Sequence, residues 1–302
     1  MNGTPYPTGP GHIDNTHAMP ADPLPLPIQP APDLVGDEIV PLLEEPFASA
    51  WAGADEAAAR AADAGRGRLL QRLSASRQAA AAMVTVRPRK LPAAALAEGV
   101  VAKWLYTAPG DRPLRPGEPL TARLIEMQPG SRWSGPADTA LRECLVLRGA
   151  LQLGDEPLQE RDHRVVPAGQ PMGAWMAGAD GAWLFLRESA HATAPGDTAR
   201  TVRDAEAGWP EFAPGIRRRV LWQRDGQAAM LYLAEAGAMV PTHRHGHDEE
   251  CLMVQGELFL DDLLLQPGDY QLAPAGTGHR ITETDTGVVI YAHGDLDLQF
   301  TG

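Results

Sequence analysis

Cysteine, aromatic residues and excess basic charge are all scarce in this chain. Its 302 residues hold two cysteines, too few for a disulfide framework in a chain of this length, so a reducing cytoplasm is expected. Aromatic residues make up 6%. Basic residues number 26 against 39 acidic ones, a net charge of −13, which argues against nucleic acid or an anionic membrane as the main partner. The densest basic run, Arg217–Arg219, is too short for a binding patch. No uncharged apolar stretch is long enough for a transmembrane helix, and the N-terminus shows no charged-then-apolar pattern of a signal peptide. What the chain has in plenty is 28 prolines and 31 glycines beside a 44% apolar share, which points to a turn-rich, mainly β body with a sizeable core.

Residues 1–35 are dominated by Pro, Gly, Thr and Asp, and "PADPLPLPIQPAPD" lacks too many amide donors to hold a helix, so a disordered, polyproline-like tail is expected. Residues 36–84 turn Ala-, Leu-, Arg- and Glu-rich and read as short helices interrupted at Pro41, Pro46, Gly53 and Gly65, with Leu69, Leu70 and Leu73 on one apolar face. These helices are read as packing or homodimerisation elements. From "MVTVR" at 83–87 onward, β-branched alternation predicts strands.

The main organisational signal is an internal repeat. "ECLVLRGALQLGDEPLQ" from Glu143 aligns without a gap to "ECLMVQGELFLDDLLLQ" from Glu250, a spacing of 107 residues. The same offset pairs Gly130 with Gly237, Cys144 with Cys251, His163 with Tyr270 and the Pro-Ala-Gly at 167–169 with that at 274–276. Two copies of one antiparallel barrel or jelly roll are expected, at 85–200 and 201–302. Cys144 and Cys251 then read as equivalent small core residues, and Trp175 and Trp183 as core of the first copy.

"THRHGHDEE" at 242–250 concentrates three histidines and three acids. His243 and His245 are two apart, so on a strand they share a face and can converge on one cation. His279, after the Pro-Ala-Gly turn, offers a further imidazole. Period-2 alternation puts Glu249, Cys251 and Met253 on one face and Glu250, Leu252 and Val254 on the other.

At these residues the sequence resembles the cupins. Their first motif, Gly, five residues, His-x-His, three or four residues, Glu, six residues, Gly, is met by Gly237, His243, His245, Glu249 and Gly256. Their second is met by Gly268, Pro274, Gly276 and His279, with Glu283 standing where Asn is expected. The resemblance implies two tandem jelly-roll β-barrels and one divalent metal ion per chain on His243, His245, Glu249 and His279. Among the carboxylates it selects Glu249 over Asp248 and Glu250. His247 interrupts the ligand spacing and reads as a rim residue, and His293 as an ordinary sheet residue. In the first copy the ligand positions are Pro136, Asp138, Arg142 and Met172, a set that cannot assemble a divalent site.

The "EECLMVQG" and "PGDYQLAPAGTGH" wording further resembles the cupin domain of ChrR-type anti-sigma factors. Members hold zinc there and grip a sigma factor through a separate domain with a His-x3-Cys-x2-Cys motif. No cysteine precedes Cys144 here. The resemblance implies a regulatory or sensor protein responding to an oxidant or small ligand, with a sigma factor or other regulator as partner. The alternative is a metal-dependent dioxygenase or isomerase acting on a small polar or dicarbonyl compound, with Tyr270 and Glu283 as the candidates for a general base. Three imidazoles and a carboxylate suit Zn²⁺, with Fe²⁺, Mn²⁺ and Ni²⁺ also accommodated.

Overall fold

The computed structural model describes residues 47–300. The Pro-rich segment 1–35 and the start of the helical segment lie outside them. The chain clusters into two units, residues 1–65 and 66–302, and the second holds both repeats.

The helical region departs from the expectation of short pieces. One helix of 36 residues, Phe47–Ala82, runs through Gly53 and Gly65. A mid-helix glycine costs about 1 kcal/mol relative to alanine, and the alanine-rich sequence on either side of Gly65 offsets that locally. Leu69, Leu70 and Leu73 are 58%, 54% and 43% exposed, so the apolar face read from the sequence is not covered by the described residues.

Strands dominate the rest. The first repeat forms a sheet in the order Arg200–Val202, His163–Val166, Leu141–Leu153, Trp175–Ser189, Pro119–Met127, Val100–Thr107, Ala94–Ala97. The second repeats that order with Val84–Val86, Tyr270–Ala273, Glu249–Gly256, Val288–Asp295, Gln227–Ala234, Ile216–Arg224 and Glu211–Ala213. The pairings among the described residues are antiparallel, as alternating apolar and polar residues joined by tight turns require.

Each repeat lends its edge strand to the other. Val84–Val86, which precedes the first repeat, pairs with Tyr270–Ala273 of the second. Arg200–Val202 pairs back onto His163–Val166 of the first. The boundary placed at 200/201 from the sequence therefore falls inside an exchanged strand. Both exchanges cover an edge that would otherwise expose unpaired backbone groups.

The described residues form three cores. One lies wholly within the first repeat and includes Cys144, Leu151, Leu153, Met172 and Trp175. One lies within the second and includes Cys251, Met253, Leu258 and Ile290. The third joins the repeats, with Leu145 and Phe185 from the first packed with Leu252, Tyr270 and Tyr291 from the second. Trp175 is fully buried, but Trp183 is 48% exposed, contrary to its reading as core. Alternation turns Leu184 and Leu186 into the first core and leaves Phe185 and Trp183 on the other face. Phe185 is covered by the second repeat and Trp183 is not.

Candidate metal centre

His243 sits on the short strand His243–Arg244, opposite His279 on Gly278–His279. Directly opposed residues project to the same face, so this register alone brings two imidazoles together. His245 follows at once, and its backbone is tied to the turn before His279: its amide donates to Thr277 O at 2.9 Å and its carbonyl accepts from Gly276 N at 2.7 Å. Glu249 opens the strand Glu249–Gly256. The three rings form an edge-on triangle with centroid separations of 5.3 Å (His243–His245), 5.7 Å (His243–His279) and 5.1 Å (His245–His279). One donor atom each from His243, His245 and Glu249 lie within 4.8 Å of one another. His279 stands outside this tightest set, against two of its members.

Neighbouring groups fix the donor atoms. His243 Nδ1 is 2.9 Å from Pro241 O, so Nδ1–H donates there and leaves Nε2 with its lone pair. His279 Nδ1 faces Asp261 Oδ2 at 3.4 Å, and Asp261 is itself held by the amide of Arg280 at 2.9 Å. Carboxylate and carbonyl partners of this kind orient metal-binding imidazoles. His245 is 2% exposed, and neither ring nitrogen has a hydrogen-bond partner among the described residues. Its Nδ1 lies 3.3 Å from Glu249 Oε2 without the alignment of a hydrogen bond. A buried polar atom left unsatisfied costs about 1–3 kcal/mol. A divalent cation would satisfy it, and the donor set of neutral nitrogens and one carboxylate suits such an ion.

Without a metal, burial pulls the His243 imidazolium pKa below its ordinary value. Burial acts the same way on His245, but the Glu249 carboxylate outweighs it and the net shift is upward. Burial would raise Glu249, and the adjacent His245 overrides it to hold the carboxyl low. His245 and Glu249 thus shift in opposite directions, each favouring the charged form of the other, while burial shifts His243 downward.

A cavity open to the surface reaches His243, Glu249 and His279. Its walls are mainly apolar, with Tyr232, Cys251, Leu258, Val288 and Ile290 among them, and no lysine or arginine of the described residues lines it. Cys251 belongs to the core and also faces this space, and burial raises its thiol pKa well above the usual value. Thr282 and Thr284 line the cavity, while Glu283 between them does not. Tyr270 is fully buried in the core joining the repeats, where its hydroxyl donates to Glu250 at 2.7 Å. Neither candidate general base therefore faces the cavity, because strand alternation sends Glu283 outward and Tyr270 towards the first repeat. His247, its side chain 41% exposed, pairs with Asp295 at the rim. His293 is fully buried in its strand.

At the equivalent place in the first repeat, Arg142 occupies the position of Glu249. It is fully buried and donates to four backbone carbonyls, those of Ala137, Ala140, Pro167 and Gln170. These carbonyls sit in the two loops that, in the second repeat, carry the histidines. A guanidinium here ties together loops that the second repeat arranges around its imidazoles. Met172 is buried and Asp138 exposed. Two further residues of the centre were not legible from the sequence: Asp261, whose signal is only a turn in "FLDDLL", and Gly294. A Cβ at Gly294 would lie 3.2 Å from Glu249 Cβ and Cγ, so the missing side chain makes room for the carboxylate.

Residues 197–297 match the family described as the ChrR cupin-like domain. No curated protein matches the sequence. Among solved structures, a provisionally named dioxygenase of Nostoc punctiforme PCC 73102 superposes with a TM-score of 0.56 at 14% identity, covering 73% of this chain and 87% of that one. Bacillus subtilis oxalate decarboxylase, an enzyme with Mn(II) centres, gives 0.53 at 15% identity over 70% of this chain and 77% of its own. A point mutant of the same enzyme gives 0.54 at 16% identity over 72% and 78%. At these identities the likeness is one of fold. With the two strand-exchanged repeats and the histidine triangle, it shows a double-cupin fold, whose second repeat matches the ChrR cupin-like domain over residues 197–297.

Proposed function

We propose that this protein is a metal-dependent cupin that holds one divalent ion on His243, His245, Glu249 and His279 and brings a small, mainly apolar molecule onto that ion. The observation that carries the reading is the apolar cavity ending on three of these side chains. A closed structural site would have no such access. With no lysine or arginine of the described residues on the cavity wall, a dianion such as oxalate would meet Glu249 without a compensating side-chain charge. The lining favours a neutral or singly charged molecule with an apolar body and one oxygen donor. The bound ion would supply Lewis acidity or oxygen activation. The chain's own part is to hold three imidazoles together, with His243 and His279 oriented by Pro241 and Asp261, exclude water with Leu258, Val288 and Ile290, and orient the ligand's polar end towards His243 and Glu249. This supports an oxygenase or isomerase.

A second reading, a regulatory sensor, is supported by the match of residues 197–297 to the ChrR cupin-like domain and by the leucines of the long helix that the described residues leave exposed. There the same cavity would receive the signal molecule, and the helix would contact a regulator or a second copy of the chain. Metal analysis of protein purified without added metal, followed by oxygen uptake with Fe²⁺-loaded protein on apolar ketones, phenols and thiols, separates the two. Iron or manganese with uptake on an apolar compound supports the enzyme. Zinc with flat traces and recovery of a sigma factor on the tagged protein supports the sensor. Turnover of oxalate alone would refute the substrate class.

A further inference from the structure

Glu249 is the one anionic member of the proposed centre, and both of its sequence neighbours are acidic. Both neighbours are held by arginines of the first repeat. Arg115 Nη2 lies 2.7 Å from each oxygen of Asp248, which also accepts from the amide of Ala275 at 2.8 Å. Arg187 Nε donates to one oxygen of Glu250, and Tyr270 donates to the other at 2.7 Å. Arg187 is fully buried and donates in addition to Glu143 Oε1 at 2.9 Å and to the carbonyl of Gly117 at 2.6 Å.

Arg115 and Gly117 lie on one loop, and that loop is rigidly built. Glu118 accepts from the amide of Arg115 at 2.9 Å and from the Arg112 guanidinium. Gln227 of the second repeat donates to the carbonyl of Pro116 at 3.0 Å. Gly117 has φ +85°, and a Cβ there would fall 2.3 Å from the Gln227 side chain. The loop thus grips the second repeat at Asp248 and Gln227, and through the Gly117 carbonyl it holds Arg187, which reaches Glu250 from the strand Trp175–Ser189. Glu250 faces away from the cavity while Glu249 faces into it, as alternation requires. Fixing the residues before and after Glu249 leaves its backbone no freedom to slide along or rotate about the strand, so its carboxylate has one aim. Gly294 makes room for it from the neighbouring strand.

We infer that the first repeat, which lacks metal ligands of its own, is the positioning scaffold for the metal carboxylate of the second, with Arg115 and Arg187 as positioning residues. This rests on the reading of His243, His245, Glu249 and His279 as a metal centre. Ion pairs between two packed repeats would also hold them together without affecting a metal, so the test must read the metal.

Arg187→Ala would strip two buried carboxylates, Glu143 and Glu250, of their shared guanidinium and endanger folding. Arg115, with its side chain 55% exposed, is the usable position. Co²⁺ alone is titrated into the metal-free full-length protein, reading its dissociation constant and the visible absorption of the bound ion. The variants are Glu249→Gln, Arg115→Ala, Arg115→Lys, Asp248→Asn and the Arg115→Ala/Asp248→Asn double variant. The expected result is one Co²⁺ per wild-type chain and loss of tight binding in Glu249→Gln. Arg115→Ala and Asp248→Asn should each weaken Co²⁺ by about 10–100-fold, the usual effect of removing an outer partner of a metal ligand. Each should also alter the absorption of bound Co²⁺. The double variant should resemble either single one, and Arg115→Lys, which keeps the charge, should recover part of the affinity. If Arg115→Ala lowers the melting temperature of the metal-free protein but leaves the Co²⁺ constant and spectrum unchanged, the arginine only joins the repeats and the inference is overturned. If the wild type binds no Co²⁺, the metal-centre reading itself fails and takes the inference with it.

Discussion

Replacing Arg142 by methionine isolates what a buried cation contributes to the repeat without metal ligands. The side chain is fully buried and serves the carbonyls of Ala137, Ala140, Pro167 and Gln170. Methionine has similar reach and no donor, so all four acceptors lose the guanidinium together, and among the described residues only Pro167 O keeps a further donor, the Gln170 amide at 3.3 Å. Hydrogen bonds to a charged group contribute about 1.5–3 kcal/mol each, which would sum to more than is realistic, because burying the guanidinium has its own desolvation cost. That cost is visible as a lowered pKa for Arg142, caused first by burial. A net loss of about 3 kcal/mol is expected, at the lower end of the usual cost of removing one partner from a buried charged pair. For a unit of this size that corresponds to about 6–12 °C in melting temperature. Urea unfolding of the metal-free protein, followed by tryptophan fluorescence, measures it. Metal content of the variant should stay at one ion per chain, since Arg142 is remote in sequence and in repeat from the histidines. A loss below about 1 kcal/mol would refute the reasoning, for it would mean that water or a relaxed loop replaces the guanidinium without difficulty.

Other expectations concern the centre and its surroundings. His279→Ala should leave the purified chain almost metal-free, whereas Asp138→Ala should keep one ion per chain; elemental analysis decides, and two ions in the wild type would contradict the assignment. Gly294→Ala, which places a methyl 3.2 Å from Glu249 Cβ and Cγ, should weaken Co²⁺ binding by about tenfold with a stability cost of about 1–3 kcal/mol, both measurable on one preparation. Burial depresses His191 from its ordinary 6.5 to about 4, and the neighbouring Arg187 adds to the effect. The unfolded chain therefore takes up this proton first, so stability is intact above pH 6.5 and declines as pH falls towards 4, by about 3 kcal/mol at most. His191→Gln should flatten that slope in unfolding experiments between pH 7 and 4, and an unchanged slope would remove His191 from the account.

Much of the fold was legible because it is carried by local regularities. Glycine and proline at a fixed offset of 107 residues mark equivalent turns, and alternation within "EECLMV" separates a cavity face from a packing face. The same regularities misled where a residue's environment depends on what covers its strand. Trp183 and Phe185 share a face, yet one is 48% exposed and the other buried, because Phe185 packs in the inter-repeat core with Tyr270 and Tyr291 while Trp183 lines an open cleft beside Pro267 and Gly268. Tyr270 lies close in sequence to His279, yet its strand points it into the inter-repeat core. Single-residue propensity makes Gly53 and Gly65 breaks, yet the Phe47–Ala82 helix propagates cooperatively through both.

The sequence by itself determined the repeat, the turn positions, the strand face that Glu249 shares with Cys251 and Met253, and the residue types Pro136, Asp138, Arg142 and Met172 at the equivalent positions of the first repeat. Each of these depends on residue type at fixed intervals along one strand or turn. Only the tertiary structure decided that the repeats exchange edge strands, that Arg142 fills its repeat's ligand position as a carbonyl-binding cation, and that Arg115 and Arg187 reach Asp248 and Glu250. Those contacts join residues 133 and 63 positions apart. Spacing along the chain carries no information about such pairs, because their meeting is set by how two whole sheets pack on a shared core.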